Sequence, residues 1–294
     1  MNLENLNTQV LKLLGLLTVV SMPAKAQDTS LLVDKNITIN GVNVHYKTGG
    51  SGPYLLLLHG FTLTGEQWLP FAEELAEEYT LIIPDLPGHG RSEALGKQFR
   101  YDAVAELMRG LLLRLDIGTI QGIGHSAGSI TLMHIAAQDP NILESMILVS
   151  GGHRFSAEGR KLLIEDRFEK ADKAFQDYYL SIHPEGMPQI SAIFEAMNDM
   201  ARRHSTTADR AVLSPSVLAK IETPAFLIWG DRDPYFPVDV ATELYQSLPN
   251  TRLWIIPKQH HVPIWAVWGG DKYSAERFVF EARIFFGYTK MNNK

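Results

Sequence analysis

The sequence predicts an α/β fold in which a mostly parallel sheet is covered by helices on both faces. Three observations carry this. Short apolar runs of strand length recur along the chain, amphipathic helical patterns separate most of them, and an alternating hairpin stands in front. Ile37–Tyr46 alternates on both sides of Asn40-Gly41, the dipeptide that a tight primed turn favours. The runs Tyr54–Leu58, Thr80–Ile83, Thr119–Ile123, Met146–Val149, Ala225–Trp229 and Arg252–Ile256 read as fully buried strands, because a parallel sheet hides both faces. Tyr101–Leu115 places Val104, Leu107, Met108, Leu111, Leu112 and Leu115 on one helix face. From about Arg154 to Leu213 the alternation stops. Phe168, Phe175, Tyr178 and Tyr179 stand at helical spacing, Pro184 and Pro188 interrupt, and no strand pattern occurs. The segment reads as a helical insertion on the C-terminal edge of the sheet, where open α/β sheets bind ligands.

Composition excludes several classes of function. The 294 residues carry a formal charge of −6, which argues against an electrostatic hold on nucleic acid or anionic lipid. The absence of cysteine removes disulfides, a thiol nucleophile and thiolate metal sites. No His or Asp pair has the spacing of a metal-ligand motif, and neither a metal nor a cofactor is expected. At the N-terminus, Lys12 precedes the apolar run Leu13–Val20, Ser21-Met22-Pro23 breaks it, and Ala24-Lys25-Ala26 follows as a small-x-small box. That order is a secretory signal peptide cut after Ala26, leaving residues 27–294 as a secreted or periplasmic domain. The run is far shorter than the roughly 20 residues that span a bilayer, so stable membrane insertion is not expected.

The chemistry centres on Gly124-His125-Ser126-Ala127-Gly128, which follows a buried strand and opens an apolar helix. A serine on so sharp a turn projects its hydroxyl above the sheet, and a Cβ at either flanking glycine would collide with neighbouring backbone. The hydroxyl needs a base to take its proton, and the base needs a carboxylate to orient it. Two later strand ends offer these groups: Asp231-Arg232-Asp233-Pro234 after Ala225–Gly230, and His260-His261-Val262-Pro263 after Arg252–Pro257. The order Ser126, Asp233, His261 suits this sheet type, with Asp231 and His260 as the competing acid and base. For the oxyanion, Ala127 opens a helix where N–H groups are free. A second donor, Phe61 N–H, is expected from the loop His59-Gly60-Phe61-Thr62, where Gly60 permits close approach.

With these residues in place the chain resembles the α/β-hydrolase superfamily, in particular the small Ser-His-Asp hydrolases with a helical cap. The resemblance covers about Ile37 to Phe286. It rests on His59-Gly60-Phe61, Asp85-Leu86-Pro87-Gly88-His89-Gly90-Arg91-Ser92, Gly124–Gly128, Gly230-Asp231-Arg232-Asp233 and His261-Val262-Pro263. It implies an eight-stranded sheet with the cap, about 154–213, spliced in after the sixth strand. Its registers favour Asp233 over Asp231, through G-x-x-D, and His261 over His260, through Val262-Pro263. The chain departs from the family at Ser129, where many relatives carry glycine, at His260 before the histidine, and at Ala266, where a carboxylate is common.

The bland readings stand beside these. Ser126 could only cap a helix. Asp231 could cap its turn or pair with Arg232. His59 and His125 read as hydrogen-bonded structural histidines, Asp85–Ser92 as a tight loop under the site, and Trp68, Trp265 and Trp268 as core or pocket equally. The expected function is a serine hydrolase cleaving a small carboxylic ester or related acyl compound through an acyl-enzyme, its partner a small-molecule substrate. The same fold also hosts carbon–carbon bond hydrolases, cofactor-free haloperoxidases and hydroxynitrile lyases, and a degenerate member would be a binding protein. Ser126, in place of an aspartate nucleophile, argues against dehalogenase and epoxide-hydrolase chemistry.

Overall fold

The computed structural model describes residues 31–96, 98–203 and 213–292. The signal-peptide reading, with its cleavage after Ala26, lies outside the described residues. Strand β1 (Val33–Ile39) pairs antiparallel with β2 (Val42–Gly49). Asn40 and Gly41 join them at φ 50° and 83°, the positive angles that a primed two-residue turn requires. Then come β3 (Tyr54–Leu58), α1 (Leu69–Ala76), β4 (Thr80–Pro84), α2 (Tyr101–Arg114), β5 (Ile120–His125), α3 (Ala127–Gln138) and β6 (Leu143–Val149). Helices α4 (Ala157–Glu165), α5 (Lys173–Ile182), α6 (Met187–Arg203) and the one-turn α7 (Pro215–Leu218) precede β7 (Ala225–Gly230). Finally α8 (Val238–Ser247), β8 (Thr251–Ile256) and α9 (Lys272–Asn292) complete the chain.

The sheet has eight strands in the order β1-β2-β4-β3-β5-β6-β7-β8. The first two pairings are antiparallel and the rest parallel. Alternate residues of β3 show how the two faces are filled. Leu56 and Leu58 point into a core closed by α2, α3 and α8, whereas Leu55 and Leu57 point into one closed by α1 and α9. Each fully buried leucine contributes about 1.5–3 kcal/mol by leaving water. Strand β8 differs from its expected full burial. It lies at the edge of the sheet, with Arg252 exposed and Leu253, Trp254 and Ile255 only partly covered. An edge strand has one neighbour, so its apolar run is finished by side chains such as Arg277, whose guanidinium sits 5.8 Å above the Trp254 ring.

Between β6 and β7 the described residues form helices and no strand. Three of these helices begin where a side-chain oxygen accepts a backbone N–H of the first turn: Ser156 from Gly159, Asp172 from Phe175 and Ser214 from Val217. This cap is tied to the loops below it by polar bonds. The His183 ring donates to Thr62 O at 3.0 Å and accepts from Gly90 N at 3.1 Å, and Gln189 Nε2 donates to Gly90 O at 2.8 Å. Among the described residues no helix is long and apolar enough to cross a membrane.

Candidate active site

The turn from β5 into α3 holds Ser126 at φ 50°, a left-handed conformation that costs a non-glycine residue energy and is retained when surroundings over-determine it. Those surroundings are visible. Ser126 N donates to Val149 O at 2.8 Å, Ser126 O accepts from Ile130 N at 3.1 Å, and a Cβ on Gly128 would stand 2.1 Å from Leu58 O. Ser129, the departure from the family pattern, uses its hydroxyl to tie the turn together, donating to Gly124 O at 2.7 Å.

The loops after β7 and β8 bring Asp233 and His261 together. His261 Nδ1 lies 2.8 Å from Asp233 Oδ2, and the carboxylate is fully buried while the ring is partly open. Asp233 Oδ1 accepts two backbone bonds, from Tyr235 N at 2.9 Å and Phe236 N at 3.0 Å. A carboxylate can only accept, so the imidazole carries its proton on Nδ1 and leaves Nε2 with a free lone pair. Ser126 and His261 line one cavity without a direct hydrogen bond between them among the described residues, as is common before substrate tightens a site. Asp231 is exposed and, among the described residues, its side chain makes neither the turn cap nor the Arg232 pair considered for it. The His260 ring turns away to Arg232 O, at 3.0 Å.

The loop after β3 lies against the serine turn. A Cβ on Gly60 would stand 2.5 Å from His125 Nδ1 and 3.5 Å from Ser126 Cβ, so only glycine lets the backbone leading to Phe61 come this close. Phe61 itself lines the cavity beside Ser126. Ala127, first in α3, has no intrahelical carbonyl for its N–H. A residue absent from the sequence reading holds the loop. Gln67 Oε1 accepts from Gly60 N at 2.9 Å, while its Nε2 donates to His125 Nδ1 at 2.9 Å. His125 Nε2 in turn donates to His261 O at 3.0 Å. One buried glutamine thus links the Phe61 loop, the serine turn and the histidine loop. Burial pushes His125 well below the ordinary histidine range, so it stays neutral in this chain of bonds. His59 is likewise pushed down to about 4 by burial, and bridges Gly60 O and Leu86 N at 2.8 Å each. Gln67 belongs to no motif. Its only sequence signal is a polar residue just before the buried Trp68.

The cavity above Ser126 measures about 130 Å³ and is roofed by cap residues such as Phe175, Tyr179, Phe194 and Met197. Apolar sites of roughly 150 Å³ admit a benzene ring. Of the three tryptophans left between core and pocket, Trp68 and Trp265 are core, packed edge to face at 5.2 Å, and Trp268 lines the cavity. The cap adds two charged groups to the lining, Asp166 and Lys170. Burial raises the Asp166 carboxyl to about 6 against the opposing pull of the Arg167 amide and the nearby cations.

Comparison with known proteins agrees with this architecture. Residues 53–181 match the family model described as the alpha/beta hydrolase fold. The chain is 30% identical over 243 residues to pimeloyl-[acyl-carrier protein] methyl ester esterase of Chromobacterium violaceum, covering 76% of this chain and 92% of that protein. It is 24% identical over 243 residues to (E)-2-((N-methylformamido)methylene)succinate hydrolase of Acinetobacter baylyi, covering 79% and 92%. The fold superposes on the crystal structure of a bacterial membrane phospholipase A with a TM-score of 0.73 at 20% identity, over 90% of this chain and 88% of that one. The chain is an enzyme that belongs to the α/β-hydrolase superfamily.

Proposed function

We propose that the protein is a serine hydrolase that cleaves a small carboxylic ester through an acyl-enzyme. The observation that carries this is the buried Asp233 carboxylate 2.8 Å from His261 Nδ1, beside a cavity that Ser126 shares with His261. His261 Nε2 takes the Ser126 proton as the serine oxygen attacks the ester carbonyl. The carbonyl oxygen gains the negative charge and is held by the N–H groups of Phe61 and Ala127. As the tetrahedral intermediate collapses, the alkoxide leaves with the proton from His261, and Ser126 keeps the acyl group. Water then repeats the sequence, with His261 as its base, and releases the acid. Asp233 holds the ring by its Nδ1–H so that Nε2 is the nitrogen that takes up and gives back the proton. A cavity of about 130 Å³ suits a short or compact acyl group.

The test is Ser126→Ala. The variant is expected to lose both labelling by a fluorophosphonate and turnover of methyl butanoate while melting as the wild type does. Labelling that persists would remove Ser126 as the nucleophile. We also propose export of the chain, which N-terminal sequencing of protein secreted by its native host checks. Mature protein beginning at Gln27 agrees, and cytoplasmic protein beginning at Met1 or Asn2 refutes it.

A further inference from the structure

In a cavity lined mostly by aromatic and aliphatic side chains, one carboxylate is out of place. Asp166 follows the last turn of α4 and contributes to the same lining as Ser126 and His261. Its surroundings hold one of its two oxygens. Oδ1 accepts from Arg167 N at 3.0 Å, and no donor reaches Oδ2 among the described residues. The cations beside it pull on the carboxyl but do not bond it, and Arg167 Nη1 donates to the Asp166 carbonyl at 2.5 Å. Arg167 Nη1 donates to Ile164 O at 2.8 Å and Asn198 Oδ1 at 2.6 Å, and Lys170 Nζ donates to Glu165 O at 2.6 Å. Tyr179 of α5 and Tyr235 of the loop after β7 are buried, line the same cavity and feel the Asp166 charge. Asp166 is only partly buried, so its second oxygen is open to solvent in the cavity and accessible to a donor on a bound substrate.

We propose that Asp166 is the residue by which the cap selects substrate: its free oxygen accepts a hydrogen bond from a hydroxyl on the acyl group and repels acyl groups that end in a carboxylate. This rests on the esterase reading above. The chemical class is therefore a short hydroxyacyl ester. A carboxylate in a mostly apolar cavity interacts with a second charge more strongly than it would in water, and Lys170 is held at Glu165 O, so a substrate anion in the same cavity is disfavoured by about tenfold or more.

The experiment compares three methyl esters on the full chain: methyl butanoate, methyl 3-hydroxybutanoate and monomethyl succinate, each followed by methanol release. In the wild type, kcat/KM is expected to fall in the order hydroxybutanoate, butanoate, succinate, with the last at least about tenfold below the second. In Asp166→Asn the butanoate-to-succinate ratio drops toward one, mainly through a lower KM for succinate. A second measurement needs no variant. Lowering the pH of the wild type from 8 to 5 protonates Asp166 and relaxes the same ratio; the other groups facing Asp166 are Lys170, Arg167 and the two tyrosines, both of which stay neutral, and the succinate monoester stays largely ionised. Taking a ratio of two substrates on one enzyme cancels every effect of pH that is common to both. A purely structural Asp166 would leave the ratio flat with pH. Turnover of the esters with a ratio unchanged both by pH and by Asp166→Asn overturns this inference and leaves the esterase reading standing. No turnover of any ester by the wild type overturns both.

Discussion

Asp233→Asn isolates the role of the acid more sharply than a truncation does. The asparagine fits the same space, and its orientation is decided by the backbone around it. Asp233 Oδ1 accepts N–H groups of both Tyr235 and Phe236. If the amide placed its NH₂ there, two buried donors would face a third, each unmet donor costing about 1–3 kcal/mol. The amide oxygen therefore stays at the Oδ1 position, and the NH₂ meets His261 Nδ1. A donor there requires Nδ1 to accept, which moves the ring proton to Nε2, the nitrogen that must take the proton from Ser126. The expected loss in kcat is about 10⁴-fold, or about 5.4 kcal/mol of barrier. Both backbone bonds survive, so the melting temperature should stay within a few degrees of wild type. The assay is kcat on methyl butanoate for Asp233→Asn and Asp231→Asn side by side, with thermal melts of each. Asp233→Asn keeping more than about a tenth of wild-type kcat, or Asp231→Asn matching its loss, would refute the reasoning.

Three further outcomes follow from the geometry. His261→Ala should lower kcat by roughly 10⁶, whereas His260→Ala, whose ring turns to Arg232 O, should stay within a few-fold of wild type; the reverse pattern would exchange their roles. Gln67→Leu leaves the buried Gly60 N–H and His125 Nδ1 without their partner, so kcat should fall by about tenfold or more and the fold should lose about 1–3 kcal/mol per group, read by kinetics and urea melts; a variant with wild-type kcat would remove Gln67 as the positioning residue. Asp166 binds its proton up to about pH 6 when folded, against the ordinary 3.8, so the wild type loses stability as pH rises through that window, and Asp166→Asn should be more stable by about 1–2 kcal/mol at pH 8 and by nothing near pH 3.5; equal urea midpoints at pH 8 would contradict this.

The sequence alone determined the strands, the hairpin turn and the sharp turn at Ser126. Each is written in residues that are neighbours along the chain. Alternation around Asn40-Gly41, the apolar run Leu55–Leu58 and the small residues around Ser126 respond to local backbone geometry, so their pattern is legible without knowing what lies opposite. The helical character of the cap was readable for the same reason. Tertiary structure decided what each element faces. It placed β8 at the edge, where one neighbour leaves its run half covered, although that run resembles the central ones in sequence. It turned the His261 ring to Asp233 and the His260 ring to Arg232 O, a difference between adjacent residues that register alone could suggest. It also carried Gln67 to His125 across 58 positions and His125 to His261 across 136. Asp166 looks in sequence like any polar residue at a helix end. Only the crossover that lays the cap over the C-terminal ends of the strands makes it part of the cavity, because the free energy of a partly buried carboxylate depends on the surfaces brought around it rather than on its neighbours in the chain.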